Sequence, residues 1–171
     1  VVADIDLAIL PSAAERRMPY LLVPLLEEVS VGQHLAGNLA PLPEELRAWV
    51  SVVATSADAC LVLDSDARVV AISPAAAMLA AIEAIEAIGQ RLVGDVLAPV
   101  DFSSAAEPLD VDSVSVPPVA AARHGVSCHG LLRLRRPDGS TITLDTVSTP
   151  LHGADGQRLG SLTFFAQVAA H

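Results

Sequence analysis

Lysine is absent from this chain: all ten basic residues are arginine, set against twenty acidic groups and a formal net charge of -10. The imbalance is shared, with seven acidic and three basic groups in residues 1–50 and thirteen and seven in residues 51–171. A polyanion would meet repulsion over most of such a surface, so direct nucleic-acid binding is not expected. Arg133, Arg135 and Arg136 form the one basic cluster along the sequence and read as a solvated strand end. Aromatic residues are scarce as well, at 3%. The core must be aliphatic, and a large planar cofactor would find few rings to stack on. Two cysteines, Cys60 and Cys128, make no disulfide framework and read as reduced thiols in apolar surroundings. No apolar run is long enough to span a membrane and no signal peptide is visible, so the expected location is cytoplasmic. The sequence also has no G-x-S-x-G elbow, no glycine-rich phosphate loop and no H-E-x-x-H pair.

What is present is apolar material, 52% of 171 residues, enough for one domain with an extension. Residues 19–30 set Leu22, Leu25, Leu26 and Val29 on one helical face, with Pro24 expected to kink it. Residues 31–42, with Gly32, Gly37, Asn38 and Pro41, read as a connection. Residues 43–55 form a clearer helix, opened by Glu44 and Glu45 at its positive end. Leu46, Trp49, Val50 and Val53 recur there at i, i+3, i+4 and i+7. Burying four such side chains is worth about 1.5–3 kcal/mol each, so the chain's own sheet or a second subunit must cover the stripe.

A hairpin follows, with strands over 59–63 and 68–72 and the turn Asp64-Ser65-Asp66 between them. Ser73 is placed to cap a helix whose first residue is Pro74. That helix is expected to run to Gly89, with Met78, Ile82, Ile85 and Ile88 inward. A short helix is expected around Asp95 from Leu92, Val93, Val96 and Leu97, and another over 118–124 ending at Gly125. Three strands then alternate through 126–136, 141–150 and 159–168, separated by the turns Pro137-Asp138-Gly139-Ser140 and Gly153-Ala154-Asp155-Gly156. Leu132 and Leu134 share one face of the first strand. Leu162, Phe164, Ala166 and Val168 share a face of the last, with Phe165 opposite.

Residues 54–169 together resemble a PAS domain. The opening ADACLVLDSDARVVAISPAAAML resembles that family's first hairpin and helix, and VGDVLAPVDF its middle segment. PPVAAARHGVSCHGLLRLRRPDGS resembles the short helix running into the third strand, and TPLHGADGQRLGSLTFFAQV the last hairpin. The resemblance implies an α+β fold: a five-stranded antiparallel sheet in the order 2-1-5-4-3, with helices on its concave face. It implies division into an N-terminal helical extension, residues 1–53, and a sensory domain, residues 54–171. It also implies dimers made through a preceding helix, which assigns Leu46, Trp49, Val50 and Val53 to a dimer interface. Family members sense small ligands, redox state or light, or mediate protein contacts, and they modulate a kinase, phosphatase, cyclase or transcription factor.

The expected function is therefore a non-catalytic regulatory module, either dimerising and contacting proteins or holding a small apolar ligand. Met78, Ile82, Ile85, Leu97, Leu132 and Leu144 are the expected lining of the pocket. No cofactor is expected. The flavin branch of the family carries its cysteine in an Asn-Cys-Arg-Phe-Leu-Gln type run, which neither Cys60 nor Cys128 matches. A haem or metal sensor is the alternative, and His124, near the place of a proximal histidine but at a helix end, is its one candidate ligand. Cys128 and His129 are neighbours on a strand, point to opposite faces and cannot readily share an ion. A small enzyme is the further alternative, but His124, His129 and His152 are scattered. Asp64, Asp66, Asp138 and Asp155 read as turn residues, and Asp101-Phe102 as an anchor for the middle segment.

Overall fold

A computed structural model describes residues 42–110 and 116–169. The helix expected over 19–30 lies outside the described residues. The first described helix, α1, is Glu44–Ala54. It is followed by β1 (Cys60–Asp64), β2 (Val69–Ile72), α2 (Pro74–Ala80) and α3 (Ala84–Ala87). The two-residue strand β3 (Ala98–Pro99) and the helix α4 (Pro117–His124) come next. Three long strands close the chain: β4 (Cys128–Arg135), β5 (Thr141–His152) and β6 (Arg158–Gln167).

All strands pair antiparallel in one sheet, in the order β2-β1-β6-β5-β4-β3. The expected five-stranded order is present, with one addition. Ala98 and Pro99 pair with Arg135 and Leu134, making a sixth, edge strand where no strand was expected. Strand β6 joins the two halves, with Leu61 opposite Thr163 and Ser148 opposite the same Thr163.

Local chemistry sets the turns. The Asp64 carboxylate accepts the backbone N–H of Asp66 at 2.9 Å and of Arg68 at 2.8 Å, folding the first hairpin. Ser73 does cap α2: its hydroxyl accepts the Ala76 N–H at 3.2 Å. The same buried oxygen accepts the Cys60 N–H at 3.0 Å and donates to the Asp58 carbonyl at 2.8 Å. One side chain therefore fastens the start of α2 to the start of β1.

The helix expected from Pro74 to Gly89 is broken in two. Ala81 takes a left-handed conformation (φ 56), its N–H bonds to Met78 O, and the Ile82 N–H reaches back to Ala77 O. This is the hydrogen-bond pattern of a Schellman stop, formed without glycine. The stop turns Ile82 towards the core and leaves Met78 and Ile85 exposed, at 74% and 57%. The short helix expected around Asp95 is a loop, closed by Leu97 N–H to Leu92 O at 2.7 Å and Gly94 N–H to Leu97 O at 3.1 Å. The α4 expectation holds, with Gly125 left-handed at φ 68 as the terminator.

Two apolar cores lie on opposite faces of the sheet. The inner one joins Leu61, Leu63, Leu132, Leu134, Ile142 and Leu144 to the alanines of α2 and α4. The outer one joins Leu46 and Val53 of α1 to Cys60, Val62, Val70 and Leu159. Strand β6 reaches β1 closely at Gly160, where an added Cβ would fall on the Leu63 carbonyl oxygen. Gly160→Ala is therefore expected to lower the unfolding free energy by about 3 kcal/mol or more, read as a shifted urea midpoint.

Candidate functional site

The inner face divides into an apolar end and a hydroxyl row. Leu132 and Leu144 are buried in the apolar end, packed as core and not as pocket wall. Towards the other end Thr146, Ser148, Ser161 and Thr163 are all fully buried, and α4 packs across these strands. Ser148 Oγ and Thr163 Oγ1 share a hydrogen bond of 2.9 Å, and Ser161 Oγ donates to the Pro118 carbonyl at 2.9 Å. Among the described residues Thr146 Oγ1 is buried without a hydrogen-bond partner. Small residues let α4 approach: Ala120, Ala121 and Ala122 are buried, and a Cβ on Gly130 would lie 3.5 Å from Pro117 Cγ. Alternation along the strands did not reveal this row, because its burial depends on where α4 lands.

A cleft of about 280 Å3 opens where the sheet meets the end of α2, walled by Ile82, Val96, Leu97 and Leu134 with Asp95 and Arg136. Arg136 Nε donates to the Leu79 carbonyl at 2.8 Å and ties β4 to α2 beside it. Of the six residues expected to line a pocket, the structure brings Ile82 and Leu97 together here. Leu132 and Leu144 belong to the core, Met78 lies on the solvent side of α2, whose buried face is Ala76, Ala77 and Ala80, and Ile85 faces solvent from α3 beyond the stop.

The α1 stripe also needs correction. Leu46 and Val53 are each 1% exposed, closed over by the chain's own β1 and β2, with Trp49 and Val50 partly buried against the same cluster. Leu46 and Val53 are thus spent within the domain and cannot be direct contacts of an interface. What α1 leaves bare on the outer face is a strip on β4, β5 and β6. Leu131, Val147 and Phe164 are 55%, 49% and 44% exposed. His129 stands opposite Val147, and Val147 opposite Phe164. His129 Nε2 meets Asp145 Oδ1 at 2.6 Å within this strip.

The remaining candidates are quickly placed. His124 is exposed at the end of α4, and among the described residues no three His, Cys, Asp or Glu side chains converge as metal ligands would. The Arg133 cluster is no solvated strand end. Arg133 Nη1 donates to Asp101 O and Ser103 O at 3.2 and 2.8 Å, and Arg135 donates to Ala106 O. Phe102 is exposed, so of the expected Asp101-Phe102 anchor only Asp101 holds the middle segment, together with these arginines. Its Oδ1 accepts Ser103 Oγ–H at 2.7 Å, Glu107 N–H at 2.9 Å and Ser103 N–H at 3.2 Å. The Ser103 hydroxyl, above all, holds the Asp101 carboxyl below its ordinary value. Asp138 is lowered in the same way, chiefly by Ser140, whereas burial pushes Asp64 up.

An antiparallel sheet, helices over one face and a preceding helix on the other define an α+β domain. Residues 53–170 match the family model described as PAS fold, and the chain belongs to that family. PAS domains are sensory and signalling modules. No curated protein matches the chain. Among solved structures it is similar to the PAS domain of a protein from Colwellia psychrerythraea, at 18% identity and TM-score 0.52, covering 73% of this chain and 98% of that one. It is also similar to the Rhodobacter sphaeroides LOV protein, at 15% identity and TM-score 0.56, covering 74% and 69%. The PAS domain from Bordetella pertussis BvgS gives 9% identity and TM-score 0.50, covering 74% and 88%. At these identities the likeness is one of fold. No helix among the described residues is long and apolar enough to cross a membrane.

Two outcomes are expected from these contacts. The folded Asp101 carboxyl is more acidic than the unfolded one, so its contribution is complete above the ordinary value of 3.8 and lost as pH falls through the lower folded value. Amide exchange at Ser103 and Glu107 should accelerate, beyond the intrinsic pH trend, as pH falls below the ordinary value of 3.8 and through the lower folded one. Thr146→Val, which removes a buried hydroxyl without a partner, should raise the unfolding free energy by about 1 kcal/mol in urea titration.

Proposed function

We propose that this domain is a non-catalytic regulatory module that pairs with a second copy of itself through the outer strip of β4, β5 and β6. The observation that carries it is the exposure of Leu131, Val147 and Phe164 side by side on a sheet face that α1 covers only in part. A two-fold contact brings the same patch against itself. His129 and Asp145 lie within this strip and bond each other at 2.6 Å, so the polar groups among the apolar side chains are already partnered. Trp49 and Val50, partly buried on α1, remain available to the margin of such a contact. The output passes to a kinase, phosphatase or transcription regulator, the partners that the family serves.

A small apolar ligand in the cleft walled by Ile82, Val96, Leu97 and Leu134 is the second reading, favoured by the aliphatic walls. Native mass spectrometry of the freshly purified chain checks it: a co-purified mass, lost in Leu97→Trp, is the expected result.

Sedimentation across a concentration series tests the dimer. The wild type is expected to associate, and Phe164→Glu to remain monomeric with an unchanged melting midpoint. A wild type that stays monomeric at every concentration removes this interface.

A further inference from the structure

The β1–β2 turn, the segment after α3 and the last turn of α4 meet at a surface depression of about 440 Å3, lined by Ser65, Asp66, Arg68, Arg91 and Arg123. Backbone pairing sets two of the arginines abreast. Val69 N–H donates to Gln90 O at 2.9 Å, Leu92 N–H donates to Ala67 O at 3.0 Å, and Arg68 and Arg91 form an antiparallel bridge. Arg123 arrives from the C-terminal turn of α4, where the negative helix end favours a cation.

These guanidiniums keep most of their donors. Arg68 gives one Nη1–H to the Gly89 carbonyl at 2.9 Å. Among the described residues, Arg91 and Arg123 make no side-chain hydrogen bond or ion pair. Arg133, Arg135 and Arg136, by contrast, end on backbone carbonyls of the middle segment and of α2. Asp66 is the one acid in the lining, and no ion pair joins it to any of the three arginines. In a molecule of net charge -10 this lining sets three arginines against one acid. Each guanidinium offers five N–H groups in a planar fork that matches the oxygens of a phosphate. Three forks converging from different directions suit a tetrahedral oxyanion better than one planar carboxylate.

We propose that this depression is a binding site for the phosphate group of a small molecule, held by Arg68, Arg91 and Arg123. An occupant would bridge the β1–β2 hairpin to the end of α4, the helix whose Pro118 carbonyl receives Ser161 from β6. Binding would therefore brace α4 against the sheet.

The test is a titration of the isotope-labelled full chain at low salt with inorganic phosphate and with pyrophosphate, followed by amide and arginine side-chain NMR. The expected result is saturable shifts confined to residues 65–68, 89–92 and 123–125. R91Q/R123Q should weaken binding about tenfold or more, while R47Q leaves it unchanged. The exposed arginines make no fold contacts, so the melting midpoint should hold. Should the double variant misfold, R123Q alone is expected to show a smaller but measurable loss. Tighter binding of pyrophosphate points to a phosphorylated metabolite, and equal binding to free phosphate; either supports the site. Absence of saturable shifts, or binding by R91Q/R123Q equal to that of the wild type, overturns it.

Discussion

The pairing of β1 with β6 is the contact on which the remaining structure rests. It joins the first strand of the domain to the last and so closes a long loop, which costs entropy before any packing is gained. Once made, it creates both faces at once. Cys60 and Val62 with Leu159 give α1 its seat on the outer side, and Leu61 and Leu63 begin the inner core. The closeness of the pair is written into Gly160, which sits against the Leu63 carbonyl with no room for a side chain. Ser73 fixes the same region from the other end, holding Asp58, Cys60 and the first turn of α2 with one hydroxyl.

Local chemistry made the strands and most helix ends legible in the sequence. Alternation located β4, β5 and β6, and Asp-containing turns located the hairpins, because those signals are carried by neighbours in the chain. Misreadings arose where the deciding partner is remote. The break at Ala81 lacks the glycine that usually announces a helix stop, so Met78 and Ile85 were expected to face a pocket that they turn away from. The α1 stripe was visible, but periodicity alone cannot say whether a sheet or a second subunit covers it; Leu46 and Val53 go to the sheet. Arg133, Arg135 and Arg136 looked like a solvated cluster because the carbonyls they seek, at Asp101, Ser103, Ala106 and Leu79, lie far away in sequence. The grouping of Arg68, Arg91 and Arg123 was hidden for the same reason, each being contributed by a different element.

Three surfaces of different chemistry emerge on one small scaffold: an apolar strip outside the sheet, an aliphatic cleft near the end of α2, and a cationic depression at the first hairpin. They do not share residues, yet they share supports. The cleft lies at the end of α2 and the depression beyond the end of α3, and α4 reaches the depression while lying over the hydroxyl row. Those hydroxyls bond to one another and to the helix backbone, so α4 is held partly by directional bonds and not by apolar contact alone. A change at one support therefore has a physical route to the others.

The two rims of the sheet carry a further implication. At one, β2 is already engaged by the loop behind it through the bonds between Val69 and both Gly89 and Gln90. At the other, β3 is only two residues long, ends in Pro99, which has no N–H to offer, and is hemmed by the loop that Arg133 and Arg135 secure. Both rims are therefore partly engaged: the loop after α3 takes the start of β2, and β3 takes Leu134 and Arg135 at the end of β4. Two copies meeting through the apolar strip would stack face on face, and a two-fold contact of that kind closes on itself as a pair.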